Sequence, residues 1–275
     1  MHELTHGLSN RLHANGAGLT TTMARAMGEG WSDFYARALL SSAGEPVNGI
    51  YSTGGWVTNL LSVGFTDNYY YGIRRFPYAI MSVTGANGRP HNPLTFADID
   101  STQINITDGA FVKSPVIGVT AFEVHNAGEV WAMALFEVRA RFITRLGWAA
   151  GNQRMLQLTT DAMKLDGANP TFLSGRDSLI AAAQAGGTAA DVADIWAGFA
   201  VRGMGFSAAI TDVVNGRVVE AFDLPHVFAS SMDVVSDGNG NGRLDPGEVV
   251  TVSLCIGNAA PAFSGTVSAT LAATG

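Results

Sequence analysis

The first six residues hold the pattern that constrains this chain most: H-E-x-x-H, formed by His2, Glu3 and His6. On a helix, residues four apart lie on one face, one turn from each other. His2 and His6 can therefore aim both imidazoles at one point. Glu3 sits beside the first of them without having to bind what they bind. A catalytic zinc takes three protein ligands and keeps a fourth position for water. A carboxylate next to such a centre can take a proton from water as it attacks a peptide carbonyl, which is why this pattern marks metalloproteases. The stretch "AMGEGWSDF" supplies a third ligand: Glu29 lies 23 residues after His6, and Asp33 four after Glu29. On a second helix these two acids share a face. Glu29 completes a zinc set with His2 and His6, and Asp33 can accept the free ring N–H of a ligand histidine and fix its tautomer.

Composition narrows the alternatives. With 275 residues, 47% of them hydrophobic and 14% charged, the chain has material for one large domain or two ordinary ones. A net charge of −7 without a basic cluster excludes a nucleic-acid footprint. No run of eighteen apolar residues is present, so no membrane span is expected. The one cysteine, Cys255, excludes an internal disulfide; it lies in the alternating stretch "VVTVSLCIG", where a half-buried strand thiol is expected. No signal peptide or pro-segment is visible before His2, so the chain is expected to be the C-terminal part of a longer precursor.

"HELTHGLSNRL" followed by "GEGWSDF" resembles the fungalysin family, secreted zinc endopeptidases related to thermolysin. "YYYGIRRFPYAIM", "NPLTFADID", "EVHNAGEVWAMALFEV" and "DIWAGFAVRGMG" resemble fungalysin segments in family order, so the likeness covers about Met1 to Phe206. It implies a mainly α fold, the C-terminal helical half of a thermolysin-like metalloprotease. It also implies a β-rich subdomain and a pro-segment upstream, an extracellular location, and protein or peptide substrates. By the same resemblance, His125 in "VHNAG" would donate a hydrogen bond to the oxyanion. Glu123 or Glu129 can orient its ring, since a neighbouring carboxylate holds an imidazole in place. Arg74 or Arg75 would bind the substrate backbone.

The remaining pattern places the elements. Met1 to His13 reads as the active-site helix, with Leu4, Leu8 and Leu12 as its apolar stripe, and Ala24 to Ser42 as a second, with Phe34, Ala38 and Leu39 inward. Tyr51 to Asp108 reads as loops with short helices. Further helices are expected within Gly118–Arg145 and over Gln153–Asp166, Gly175–Ala185 and Ala189–Arg202, with an S-x-x-D box at Ser174 and Asp177. The expected domains are a catalytic part over 1–206, connecting strands over 207–232, and an accessory part over 233–275. In the last, "DGNGNGRLDPGE" matches the calcium-loop pattern at every fixed position, with Asp237, Asn239, Asn241, the Arg243 carbonyl and Glu248 as ligands. Its flanks read as strands, so the loop opens a β-sandwich-like accessory domain rather than a helix–loop–helix hand, and a polar turn without an ion is the other reading. An inactive protease fragment whose calcium-loop segment serves binding or adhesion is the alternative to the zinc endopeptidase.

Overall fold

The computed structural model describes residues 1–59, 68–102, 120–225, 228–243 and 245–257. Among the described residues helices dominate, and two small antiparallel sheets lie toward the C-terminal end. The elements are α1 (His2–Leu12), α2 (Thr22–Leu40), α3 (Gly55–Asn59), α4 (Asn68–Tyr71), α5 (Val124–Leu146), α6 (Trp148–Leu165), α7 (Phe172–Gly186) and α8 (Ala189–Ala200). The strands are β1 (Ala209–Asp212), β2 (Arg217–Val219), β3 (Phe228–Ser236) and β4 (Thr251–Gly257). The mainly α class expected from the sequence is what the chain adopts.

Helix α5 is the central strut. Almost every turn of it is buried, from Asn126 to Ile143, because apolar residues surround it on all sides rather than along one stripe. It packs against α2, α6 and α8. Trp131 is the hub of the core. Its ring meets Trp31 of α2 edge-on at 5.8 Å, Phe172 of α7 at 5.3 Å and Phe199 of α8 at 5.5 Å. Aromatic pairs at such separations contribute beyond the area they bury.

Two glycines set how closely α2 and α5 approach. A Cβ on Gly30 would stand 2.5 Å from the Gly128 carbonyl oxygen, and one on Gly128 would stand 2.8 Å from the Glu29 Cβ. Neither position can carry a side chain without prising the helices apart. The contact lies directly beside Glu29 on one helix and one turn beyond His125 on the other, so it brings those two residues together.

Several local expectations need correction. Leu4 is 70% exposed and Leu39 52% exposed, whereas Leu8 and Leu12 pack against the core. The buried residues of α1 are Thr5 and Ser9, with Leu8 and Leu12 partly covered beside them. The Ser174–Asp177 box is displaced by three residues. Thr171 caps α7, its hydroxyl accepting from Ser174 N at 3.1 Å and its amide donating to Ser174 Oγ at 2.8 Å. The shift lets Phe172 start the helix from inside the core, while Asp177 pairs with Arg176 at 2.8 Å. Cys255 is exposed rather than half-buried.

Within the stretch read as connecting strands, β1 pairs antiparallel with β2, and Gly216 takes φ +65 between them. Ile210 and Val218 face the core and their neighbours face out. The strands expected on either side of the calcium-loop stretch are β3 and β4, which pair antiparallel. Residues 258–275 of the expected accessory part lie outside the described residues.

Candidate metal centre

Helix α1 presents His2 and His6 from one face, and α2 brings Glu29 against them. His2 Nε2 lies 3.0 Å from His6 Nε2 and 3.3 Å from Glu29 Oε2, and His6 Nε2 lies 3.5 Å from Glu29 Oε1. Among the described residues, these three form the one group of three or more histidine, cysteine or acidic side chains converging closely enough to share an ion. Zinc ligands 2.0–2.1 Å from the metal at tetrahedral corners stand about 3.3 Å apart, so the observed edges match. Glu29 Oε2 is shut off from solvent, with His2 Nε2 at 3.3 Å and His125 Nε2 at 3.6 Å. Two imidazoles and a carboxylate are also a donor set that zinc favours. The residues fit the ion.

Asp33 lies one turn beyond Glu29 and accepts a 2.8 Å hydrogen bond on Oδ1 from His2 Nδ1. That leaves His2 Nε2 as the nitrogen facing His6 and Glu29. Burial works against charge on His2, but its hydrogen bonds to Asp33 and Glu29 outweigh this and hold its pKa near 9. Burial also opposes the Glu29 carboxylate, and the bonds from His2 and His6 overcome it, keeping Glu29 well below the usual carboxylate range. A proton and a cation compete for the same histidine lone pair, so uptake of a metal here releases protons.

Glu3 is exposed on α1 next to His2. His125 approaches the centre from the first turn of α5, with Nε2 3.6 Å from Glu29 Oε2. Of the two acids open to it in the sequence, Glu123 is the partner. As N-cap of α5 it accepts from the His125 amide at 2.9 Å, and its Oε1 accepts from His125 Nδ1 at 2.7 Å. That hydrogen bond raises the His125 pKa against the effect of burial. Glu129 is turned the other way, into the core.

The two arginines part company. Arg74 donates from Nε to Asp33 Oδ2 at 2.7 Å and from Nη2 to Oδ1 at 3.2 Å, and Nη2 stands 3.8 Å from Glu29 Oε2. Arg75 is fully buried and paired with Glu129 at 3.0 Å. Tyr78, which nothing in the sequence pattern marks, donates its hydroxyl to Asp33 Oδ2 at 2.5 Å. Beside the triad a cavity of about 220 Å³ is lined by His6, Asn10, Leu19, Arg25, Gly28 and Glu29.

The family profile for fungalysin metallopeptidases matches residues 1–208. The chain belongs to the fungalysin metallopeptidase family. An extracellular metalloproteinase of Aspergillus terreus is 32% identical over 241 residues, covering 82% of this chain and 32% of that protein. An extracellular metalloproteinase of Pyrenophora tritici-repentis is 31% identical over 253 residues, covering 86% of this chain and 33% of that protein. A relative named extracellular metalloproteinase mep in Aspergillus fumigatus is 31% identical over 224 residues, covering 76% and 30%. The chain thus spans about a third of the length of the curated relatives it matches. The fungalysin match takes in the triad, Glu3, Asp33, Arg74, Arg75 and His125, and ends before the calcium-loop stretch.

The described residues of that stretch fold back on one another between β3 and β4. Asp237 accepts from the amides of Gly240 and Gly242. Asn239 Oδ1 accepts from Asn241 N at 3.0 Å, and Asn241 Oδ1 from Arg243 N at 2.7 Å. Glu248 folds back so that Oε1 accepts from Asn239 N at 2.7 Å, while Oε2 is enclosed without a partner. Asp245, which has no place in the expected ligand set, accepts from the side-chain amides of Asn239 and Asn241 at 2.9 and 2.7 Å.

Proposed function

We propose that this chain carries the zinc centre of a secreted endopeptidase that hydrolyses peptide bonds in protein substrates. The observation that carries the reading is the convergence of His2, His6 and Glu29, with His125 close to Glu29 and Glu3 following His2 on α1. A zinc ion held by the three ligands would act as a Lewis acid toward a peptide carbonyl and make nearby water more acidic. Glu3 would take the proton from the attacking water and pass it to the leaving amine. His125, its ring held by Glu123, would donate from Nε2 to the oxyanion that develops on the substrate. Of the two arginines, Arg74 is the candidate for the substrate backbone, since its Nη2 stands 3.8 Å from Glu29 Oε2 whereas Arg75 lies in the core against Glu129. The extracellular names of the relatives support secretion, and among the described residues no helix is long and apolar enough to cross a membrane.

Elemental analysis of the purified, folded protein is expected to find about one zinc per chain. Peptide cleavage should stop on chelation and return with added zinc. A folded chain without zinc would overturn the ligand assignment.

The residues from Asp237 to Glu248 are proposed to take calcium. The enclosed, unpartnered Glu248 Oε2 supports this, together with a motif complete at its fixed positions. With few charged ligands, the expected affinity is that of extracellular modules, a Kd of about 10⁻⁴–10⁻³ M. Titration calorimetry should show such binding in the native chain and at least a tenfold loss in Glu248→Gln. No heat at millimolar calcium would favour the polar-turn reading.

A further inference from the structure

Asp33 holds His2, and what holds Asp33 in turn is a loop residue 45 positions away in sequence. The Asp33 side chain is 2% exposed and accepts four hydrogen bonds. On Oδ1 they come from His2 Nδ1 at 2.8 Å and Arg74 Nη2 at 3.2 Å, and on Oδ2 from Arg74 Nε at 2.7 Å and the Tyr78 hydroxyl at 2.5 Å. We propose that Tyr78 is a positioning residue for the metal centre: its hydroxyl fixes the Asp33 carboxylate in the rotation that turns His2 Nε2 toward His6 and Glu29. This rests on the zinc reading of the triad.

The argument begins with how Tyr78 is placed. Its residue is fully buried. Its backbone exchanges both hydrogen bonds with Tyr51, at 2.7 and 2.9 Å, and its ring lies against Phe136 at 6.1 Å. Main chain and ring are therefore fixed without help from Asp33, and the hydroxyl arrives already aimed. A carboxylate can only accept, so the phenol is the donor. Arg74 provides the charge that keeps Asp33 ionised, but its second bond is long. The shorter pair of contacts is on Oδ2, and one of that pair is Tyr78. Gripping Oδ2 fixes Oδ1, the oxygen that His2 Nδ1 reads. Partners of ligand histidines tune metal affinity strongly: losing one costs about 10–100-fold. Tyr78 stands one contact further out, so the lower end of that range applies.

Tyr78→Phe keeps the ring and removes only the hydroxyl. Zinc affinity, measured by competition with a chromophoric chelator, is expected to weaken about tenfold. In an Asp33→Asn background the same substitution should have no further effect on zinc, because the route through the carboxylate is already cut. A merely structural tyrosine would lower the melting temperature of the zinc-free chain and leave zinc affinity untouched. Unchanged affinity overturns the proposal, and so does an equal loss in both backgrounds. A Tyr78→Phe chain that circular dichroism shows unfolded also overturns it, in favour of a packing role. If the wild-type chain binds no zinc, the triad reading itself falls and takes this proposal with it. A zinc-binding wild type beside an unaltered variant sinks the tyrosine alone.

Discussion

Glu3→Gln in the full-length protein keeps about one zinc per chain and cleaves peptides about 10³-fold more slowly, within the range general acid–base catalysis contributes. The two halves of this expectation have separate physical grounds. Glu3 is exposed and lies outside the contacts that join His2, His6, Glu29 and Asp33, so its replacement leaves the ligand set intact. Glutamine matches glutamate in shape and helix propensity, so α1 should not fray. What it lacks is a lone pair basic enough to take a proton from water. His125→Ala should cost less, about 10²-fold, because it removes one of several stabilising contacts to the oxyanion. Normal cleavage by Glu3→Gln, read as kcat/KM on a fluorogenic peptide, would remove the general base from the scheme. Loss of zinc in the same variant would instead make Glu3 part of the metal's environment.

Two faces of the centre were legible because their information is local: spacing on α1 puts His2 and His6 on one face, and spacing on α2 does the same for Glu29 and Asp33. That the two faces meet depends on the α1–α2 packing, which spacing alone does not report. The outer contacts were legible only as alternatives. Glu123 and Glu129 both stand near His125 in sequence. The choice turned on Glu123 being the N-cap of α5, whose carboxylate meets the ring as well as the amide. Arg74 and Arg75 are adjacent and identical in type. Which one faces Asp33 depends on how the loop crosses the core, and no periodicity reports that. Tyr78 could not be read at all, since its partner lies 45 residues upstream and its neighbours show no regular pattern. The mistaken leucines share one cause. A four-residue apolar spacing marks one side of a helix, but which residues at its margins are covered depends on where the neighbouring helix crosses. Leu4 and Leu39 fall outside that crossing.

The buried Arg75–Glu129 pair is where substitution should cost the most stability. Glu129 lies one turn beyond His125 on α5, and its carboxylate accepts from Arg75 twice, from the backbone amide at 2.8 Å and from Nε at 3.0 Å. The Arg75 side chain is 0% exposed and that of Glu129 1%. Glu129→Ala would remove the buried carboxylate that pairs with the Arg75 guanidinium, and losing one partner of a buried pair costs about 3–5 kcal/mol. For a domain of this size that is a fall of about 10 °C in the melting temperature. Lys164→Ala, which removes an exposed pair with Asp161 three residues away, should be nearly silent by comparison. The damage would not stay in the core. Arg75 also donates from Nη2 to the Asn126 carbonyl at 2.5 Å, so it ties the loop that bears Arg74 and Tyr78 to the first turn of α5, the turn that bears His125. Releasing it loosens Asp33 from one side and His125 from the other. Zinc affinity and the melting temperature should therefore fall together in Glu129→Ala, whereas Tyr78→Phe should lower chiefly the first. A melting temperature within a degree or two of wild type would mean that the loop is held by its other contacts, the Tyr51–Tyr78 backbone bridge foremost among them.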